Sequence, residues 1–172
     1  MLYVFIIGIC IIILDQLTKF IVTNNMVLYD SITVIKDFFN IYYVRNDGIA
    51  WGIDVKLWIL ILLTIIALGI FVFLSIKLSI KKDKWFIVTL GFLFGGTIGN
   101  FIDRLFQADH SVIDFLSFIL YYPSFKDGFH FEEYYFPIFN IADIFLVVGS
   151  IMFLIYILFI DSKKNKNKEK NV

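Results

Sequence analysis

Four stretches of mostly apolar residues, at 2–22, 57–80, 85–106 and 138–160, constrain this chain more than anything else in it. Each matches the roughly 20 residues a helix needs to cross the hydrocarbon core of a bilayer. The second carries no charge from Leu57 to Ile76, whereas Asp15, Gln16 and Lys19 interrupt the second half of the first. Of the 172 residues, 60% are hydrophobic and 17% charged, the latter below the roughly 25% of ordinary soluble domains. The expectation is a membrane all-α protein with four transmembrane helices. The formal net charge is zero, so charge implies no nucleic-acid partner. The first stretch lacks the basic start and small-residue cleavage site of a signal peptide and reads as a retained span. The single cysteine, Cys10, lies in an apolar run and reads as a small hydrophobe.

Lys and Arg favour the cytoplasmic side of a membrane. The link between the second and third spans holds Lys77, Lys81, Lys82 and Lys84, and the end of the chain holds Lys163, Lys164, Lys166, Lys168 and Lys170. The opposite side holds Lys36, Arg45, Lys56 and Lys126. Nine basic residues against four place both termini in the cytoplasm, with 23–56 and 107–137 outside. Residues 1–161 are expected to form one four-span domain and 162–172 a disordered Lys-rich tail. The first outer segment, SITVIKDFFNIYYV, is rich in β-branched and aromatic residues and predicts short strands, closed by the turn signal Asn46-Asp47-Gly48. The second is dense in Phe and Tyr and is expected to lie along the membrane interface.

An ionisable group at mid-bilayer costs roughly 2.5–3.5 kcal/mol on insertion scales. With this orientation, Asp15, Lys19, Asn100, Asp103, Arg104, Asp114, Asn140 and Asp143 all fall near the outer surface, while the inner halves of the last three spans are apolar. Helical spacing agrees: Asn100, Asp103 and Arg104 stand at i, i+3 and i+4, and Asn140 and Asp143 at i and i+3. Gly91, Gly95 and Gly99 form a groove that lets another helix pack closely on the third span. Intramembrane Asp and Asn can also serve only to join helices; their concentration at one depth favours a site.

No GxSxG or HExxH is present, and His110 and His130 read as ordinary residues of the outer segment. Three carboxylates are well placed: Asp103, Asp114 and Asp143. Two neighbouring aspartates share a proton, because repulsion raises one pKa. One can then deprotonate a water while the other polarises a carbonyl, which is peptide hydrolysis without a metal. Spacing does not choose which two of the three form such a pair.

Five segments in order, Asp15-Gln16-Leu17-Thr18-Lys19, Asn46-Asp47-Gly48-Ile49-Ala50-Trp51, Gly99-Asn100-Phe101-Ile102-Asp103-Arg104, Val112-Ile113-Asp114-Phe115 and Phe139-Asn140-Ile141-Ala142-Asp143, resemble the lipoprotein signal peptidase (signal peptidase II) family. The resemblance covers nearly the whole chain. It implies an aspartic endopeptidase of the bacterial inner membrane, with catalytic Asp114 and Asp143. Asp103 and Arg104 would support the site; Asn46, Gly48, Asn100 and Asn140 would hold substrate backbone and fix the aspartates; Asp15 and Lys19 would complete its polar floor. The implied substrate is a prolipoprotein whose cysteine carries a diacylglyceryl group, cut just before that cysteine at the outer leaflet. The implied partners are this substrate and membrane lipid, with no cofactor or metal, and the chain is expected to act as a monomer. One departure is visible: FLSFILYYPSFKDGFHFEEYYFPI, between Asp114 and Phe139, is longer than the family pattern leads one to expect.

Two rival readings come from other classes. A transporter or proton channel needs polar residues at successive depths, which the inner halves of the spans lack. A scaffold subunit could use the same polar contacts between helices but would not require both Asp114 and Asp143.

Overall fold

The computed structural model describes residues 2–48, 56–78, 83–126 and 128–161. The expectations for Ile49-Ala50-Trp51, for Lys81 and Lys82 and for the Lys-rich tail lie outside the described residues. In chain order the elements are α1 (Leu2–Asn25), β1 (Ser31–Ile35), β2 (Phe39–Asn46), α2 (Leu57–Leu78), α3 (Lys84–Phe106), β3 (Val112–Ser124), β4 (His130–Tyr135) and α4 (Ile141–Ile155). A π-helical segment, Tyr156–Asp161, follows α4. The chain divides into two compact units: a helical one of Met1–Asp15, Trp58–Ile102 and Ile141–Val172, and a sheet one of Gln16–Leu57 and Asp103–Asn140.

In the helical unit, glycines bring the helices together. A Cβ on Gly91 would lie 2.7 Å from Ile7 Cγ2, and one on Gly95 would lie 2.7 Å from Ile11 Cβ. These α3 glycines therefore admit the backbone of α1, as the spacing of Gly91, Gly95 and Gly99 predicts. Gly96 does the same for α4, its absent Cβ falling 2.6 Å from the Ala142 carbonyl oxygen. Val4, Phe86, Leu90 and Tyr156 form a buried cluster against which Phe71, Ile87 and Phe153 pack. The Phe86 and Tyr156 rings lie 4.7 Å apart. Three helices, Leu2–Asn25, Lys84–Phe106 and Ile141–Phe159, are long and apolar enough to cross a membrane, and a shorter apolar helix covers Leu57–Phe73. Ile13, Leu63 and Val147 point outward with half or more of their surface open, which suits lipid as the surrounding solvent.

The sheet unit is antiparallel, in the order β1-β2-β3-β4. β3 is long and serves two partners in turn. Its first half pairs with β2, from Asn46 opposite Val112 to Phe39 opposite Phe118. Its second half pairs with β4, from Ile119 opposite Tyr135 to Ser124 opposite His130. Phe118 stacks on Phe39 at 4.7 Å and on Phe139 at 5.8 Å. The first outer segment forms strands, as its composition predicts. The second, for which an interfacial position is expected and no secondary structure is read from sequence, is also strand and completes the same sheet. Its apolar run is nearly continuous, and without period-2 alternation a strand leaves no distinct signal. His130 opens β4 opposite Ser124.

Candidate active site

The polar residues singled out from sequence gather in two sets, one in each unit. In the helical unit the set is built on the first turn of α4. The first backbone N–H groups of a helix have no partner within it, and Asp15 supplies one: its Oδ1 accepts from Ala142 N at 2.9 Å. A carboxylate there also favours the positive end of the helix dipole. Gly99 makes room for this contact, since a Cβ on it would lie 2.7 Å from Asp15 Oδ2. One residue along α4, Asp143 is half-buried and accepts from Asn100 Nδ2 at 2.7 Å. Thus α1 steadies the start of α4, and α3 orients the carboxylate it carries.

In the sheet unit Asp114 is 2% exposed and lies in the first half of β3. A bulge decides its neighbours. Between Ile41 and Val44, β2 advances three residues while β3 advances two, from Leu116 to Asp114. An extra residue switches the face of everything beyond it, so Asn46, not Arg45, shares a face with Asp114. Asn46 Nδ2 donates to Asp114 Oδ2 at 2.9 Å. The second amide arrives through Phe139, which bridges to Leu116 and sets the next residue beside the strand. There Asn140, fully buried, donates to Asp114 Oδ1 at 2.7 Å and to the Ile113 carbonyl at 3.3 Å.

Asp103, 1% exposed, has a different environment. Its Oδ2 lies 2.8 Å from Lys19 Nζ and accepts from Ile113 N at 3.1 Å, and its Oδ1 accepts from Gln16 Nε2 at 3.0 Å. A buried charge needs a partner of opposite sign, and Lys19 and Asp103 supply one another. The contact to Ile113 N fixes the strand at the residue before Asp114, so Asp103 acts through backbone. Arg104 donates to the Gly48 carbonyl at 3.3 Å, and Gly48 N in turn donates to Asn46 Oδ1 at 3.1 Å, holding the turn after β2. Arg45, with Tyr43, Leu28, Gln107, Ala108 and Asp109, lines an open cavity of about 410 Å³. Partial burial raises the Asp109 carboxyl, but hydrogen bonds from Ser111 and the Arg45 guanidinium outweigh it and hold the group below the usual carboxylate range.

Every candidate residue is among those described. Asp15, Asn100 and Asp143 belong to the set of the helical unit; Lys19, Asn46, Gly48, Asp103, Arg104, Asp114 and Asn140 belong to that of the sheet unit. Asp15 accepts from Ala142 N and Lys19 pairs with Asp103. Sequence reasoning missed Gln16, whose i, i+3 relation to Lys19 on α1 was the available signal. It also missed the backbone donors of Ile113 and Ala142, which carry no side-chain signature. His110 is exposed, with Nδ1 2.9 Å from the Arg104 carbonyl oxygen, and is a residue of the loop as expected.

Helices long and apolar enough to cross a bilayer, with carboxylates held by amides in each of the two units, define a membrane protein. The family model for signal peptidase (SPase) II matches residues 7–159, and the chain belongs to that peptidase family. It is 39% identical to the lipoprotein signal peptidase of Listeria monocytogenes serotype 4a (strain HCC23), over 96% of this chain and 98% of the relative. It is 41% identical to that of Bacillus pumilus (strain SAFR-032), over 96% and 97%. A bacterial membrane enzyme solved by the in meso method at 2.3 Å resolution superposes with a TM-score of 0.76 at 36% identity, covering 94% of this chain and 90% of that one. A second, at 1.9 Å resolution, gives 0.70 at 35% identity, covering 91% and 93%. The chain is therefore a bacterial membrane peptidase.

Proposed function

We propose that this chain is an aspartic endopeptidase that removes the signal peptide from diacylglyceryl-modified prolipoproteins, cutting just before the lipidated cysteine. Asp114 and Asp143 form the catalytic pair. One takes a proton from water as its oxygen attacks the scissile carbonyl, and the other, protonated, donates to the carbonyl oxygen; as the C–N bond breaks, the first passes its proton to the departing amine and the second recovers one from the collapsing gem-diol. The single observation that favours this pair over one containing Asp103 is the Lys19–Asp103 ion pair at 2.8 Å. Asp103 is already engaged by the Lys19 ammonium, the Gln16 amide and the Ile113 backbone N–H, which makes it a structural contact. Asp114 and Asp143, by contrast, take amide hydrogen bonds from Asn46, Asn140 and Asn100, which orient a carboxylate without neutralising it.

In the same reading the chain spans the inner membrane four times, with both termini cytoplasmic and the aspartates at the outer leaflet, and acts as a monomer. Residues 1–161 form one functional domain and 162–172 a polar tail. Arg104 and the Asn46–Gly48 turn hold substrate backbone. The substrate's lipid chains and signal helix stay in the bilayer, which fixes the depth of its scissile bond and lowers the entropy of encounter.

Single-turnover cleavage of a diacylglyceryl-modified prolipoprotein by the purified chain, beside Asp114→Asn, Asp143→Asn and Asp103→Asn variants of verified fold, tests this. Loss of the chemical step is expected in the first two. Cleavage that survives either of those substitutions would remove that aspartate from the pair.

A further inference from the structure

Arg45 precedes Asn46 on β2, and side chains of a strand alternate between its faces. Asn46 shares a face with Asp114, so Arg45 lies on the reverse of the sheet. There its Nε donates to the Tyr43 hydroxyl and its Nη1 to Gln107 Oε1, both at 2.8 Å. With Leu28, Ala108 and Asp109 these residues line the open cavity of about 410 Å³, which lies wholly within the sheet unit. Main-chain contacts fix its walls. Tyr43 N donates to the Asp30 carbonyl at 3.1 Å, the Tyr43 carbonyl accepts from Tyr29 N at 2.8 Å, and Gln107 N donates to the Asp103 carbonyl at 2.8 Å. Donors in this cavity outnumber acceptors. Among the described residues nothing accepts from Arg45 Nη2, from the Tyr43 hydroxyl proton or from Gln107 Nε2. The Tyr43 oxygen and Gln107 Oε1 already accept from Arg45. Asp109 is the acidic residue of the lining; its Oδ1 accepts from Ser111 N at 3.2 Å and lies 3.4 Å from Arg45 Nη1.

We propose that this cavity binds a phosphoryl group, that of a phospholipid headgroup or of free phosphate. Spare donors suit a ligand whose oxygens only accept. A carboxylate is held best by a planar fork of two guanidinium N–H groups. Each fork of Arg45 includes Nε or Nη1, and those are committed to Tyr43 and Gln107. What remains is one donor nitrogen or oxygen on each of three side chains, which meets oxygens set around a tetrahedral centre better than two in a plane. The charges favour the same ligand. Arg45 is three-quarters buried, whereas Asp109, which opposes an anion, is more than half exposed and makes only a long contact with the guanidinium. The volume falls within the roughly 300–1,000 Å³ of small-molecule sites, which leaves room beside Leu28 and Ala108 for an ester group. Because the cavity lies on the reverse of the sheet from Asp114, the proposal is independent of which aspartates are catalytic.

The test is nitrogen-15 NMR of the arginine side chains of the full chain in an uncharged detergent. The only arginines in the sequence are Arg45 and Arg104, so Arg104 is the internal reference. Inorganic phosphate and a short-chain phosphatidylglycerol are titrated separately at constant ionic strength, with acetate as the carboxylate control. A saturable shift of the Arg45 Nε signal is expected with a phosphate probe, with no matching shift at Arg104 and with acetate binding at least several-fold more weakly. Saturation by inorganic phosphate would mean that the phosphoryl group suffices; saturation by the lipid alone would make the headgroup the ligand. Tyr43→Phe and Gln107→Glu should each weaken binding several-fold, and Asp109→Asn, which removes the opposing charge, should tighten it. A shift that never saturates, acetate binding as tightly as phosphate, or an affinity unchanged in all three variants would overturn the proposal.

Discussion

The two halves of β3 share one strand and little else. Residues 112–118 are largely buried, pair with β2 and hold Asp114; residues 119–123 pair with β4 and grow progressively exposed. In the first half, a bulge in β2, the amides of Asn46 and Asn140 and the Asp103 contact to Ile113 N fix the strand and its carboxylate. In the second, the polar groups serve mainly to satisfy β4's carboxylates. Burial with complete hydrogen bonding builds a place for chemistry; exposure of aromatic surface builds a place for contact. Substitutions in the two halves should therefore report on different properties.

The largest contrast is in rate. Asp114→Asn keeps the size of the side chain and removes a proton acceptor, so cleavage is expected to fall by about 10²–10⁴-fold, the usual contribution of general acid–base catalysis. The triple change Phe125→Ser, Phe129→Ser and Phe131→Ser leaves the first half of the strand untouched. In detergent, where bilayer placement no longer matters, its single-turnover rate should match that of the unaltered chain. A comparable loss from the triple change would dissolve the distinction between the halves.

Next comes stability. Removing one member of a buried ion pair leaves the other uncompensated, at about 3–5 kcal/mol. Lys19→Met should therefore lower the unfolding free energy in detergent by that order, and adding Asp103→Asn should recover a large part of it. Asn140→Ala is milder, about 1–3 kcal/mol for the polar groups it abandons. Its sharper readout is kinetic: a positioning role for Asp114 lowers kcat with KM nearly unchanged, whereas lost substrate binding raises KM.

The outline of the helices was legible because a run of 20 apolar residues has few other fates. The glycine spacing on α3 was legible because a missing Cβ has the same meaning wherever a helix packs. The roles expected of Asn46, Asn100 and Asn140 came from family resemblance; spacing alone named none of their amide contacts to Asp114 and Asp143. Spacing reported which residues share a helical face but not what that face meets. Hence the partners of Asp15 and Lys19 on α1, Ala142 N and Asp103, could not be named from spacing. The bulge in β2 was illegible for a related reason: an extra residue exists only relative to a partner strand. The β3–β4 ribbon was missed because SFILYYPS offers no alternation to distinguish strand from an interfacial segment.

The smallest effect belongs to the second half of β3. Hydrogen bonds from the Ser124 and Tyr122 hydroxyls hold the Glu132 carboxyl below the ordinary carboxylate range, against a weaker opposing pull from desolvation and with help from His130. A lowered folded-state pKa means that Glu132 binds its proton less readily folded than unfolded. Its contribution to the ribbon is thus present above the unfolded pKa and disappears as pH falls through the folded one. Tyr122→Phe removes one donor, so the Glu132 midpoint should move up toward the ordinary value, read by carbon-13 NMR of its carboxyl. Cleavage in detergent at neutral pH should not change, because the hydroxyl lies beyond the half of the strand that carries Asp114. A midpoint that stays in place would show that Ser124 and His130 suffice to hold the carboxylate. A changed rate would show that the ribbon communicates with the buried half of β3 through the strand itself.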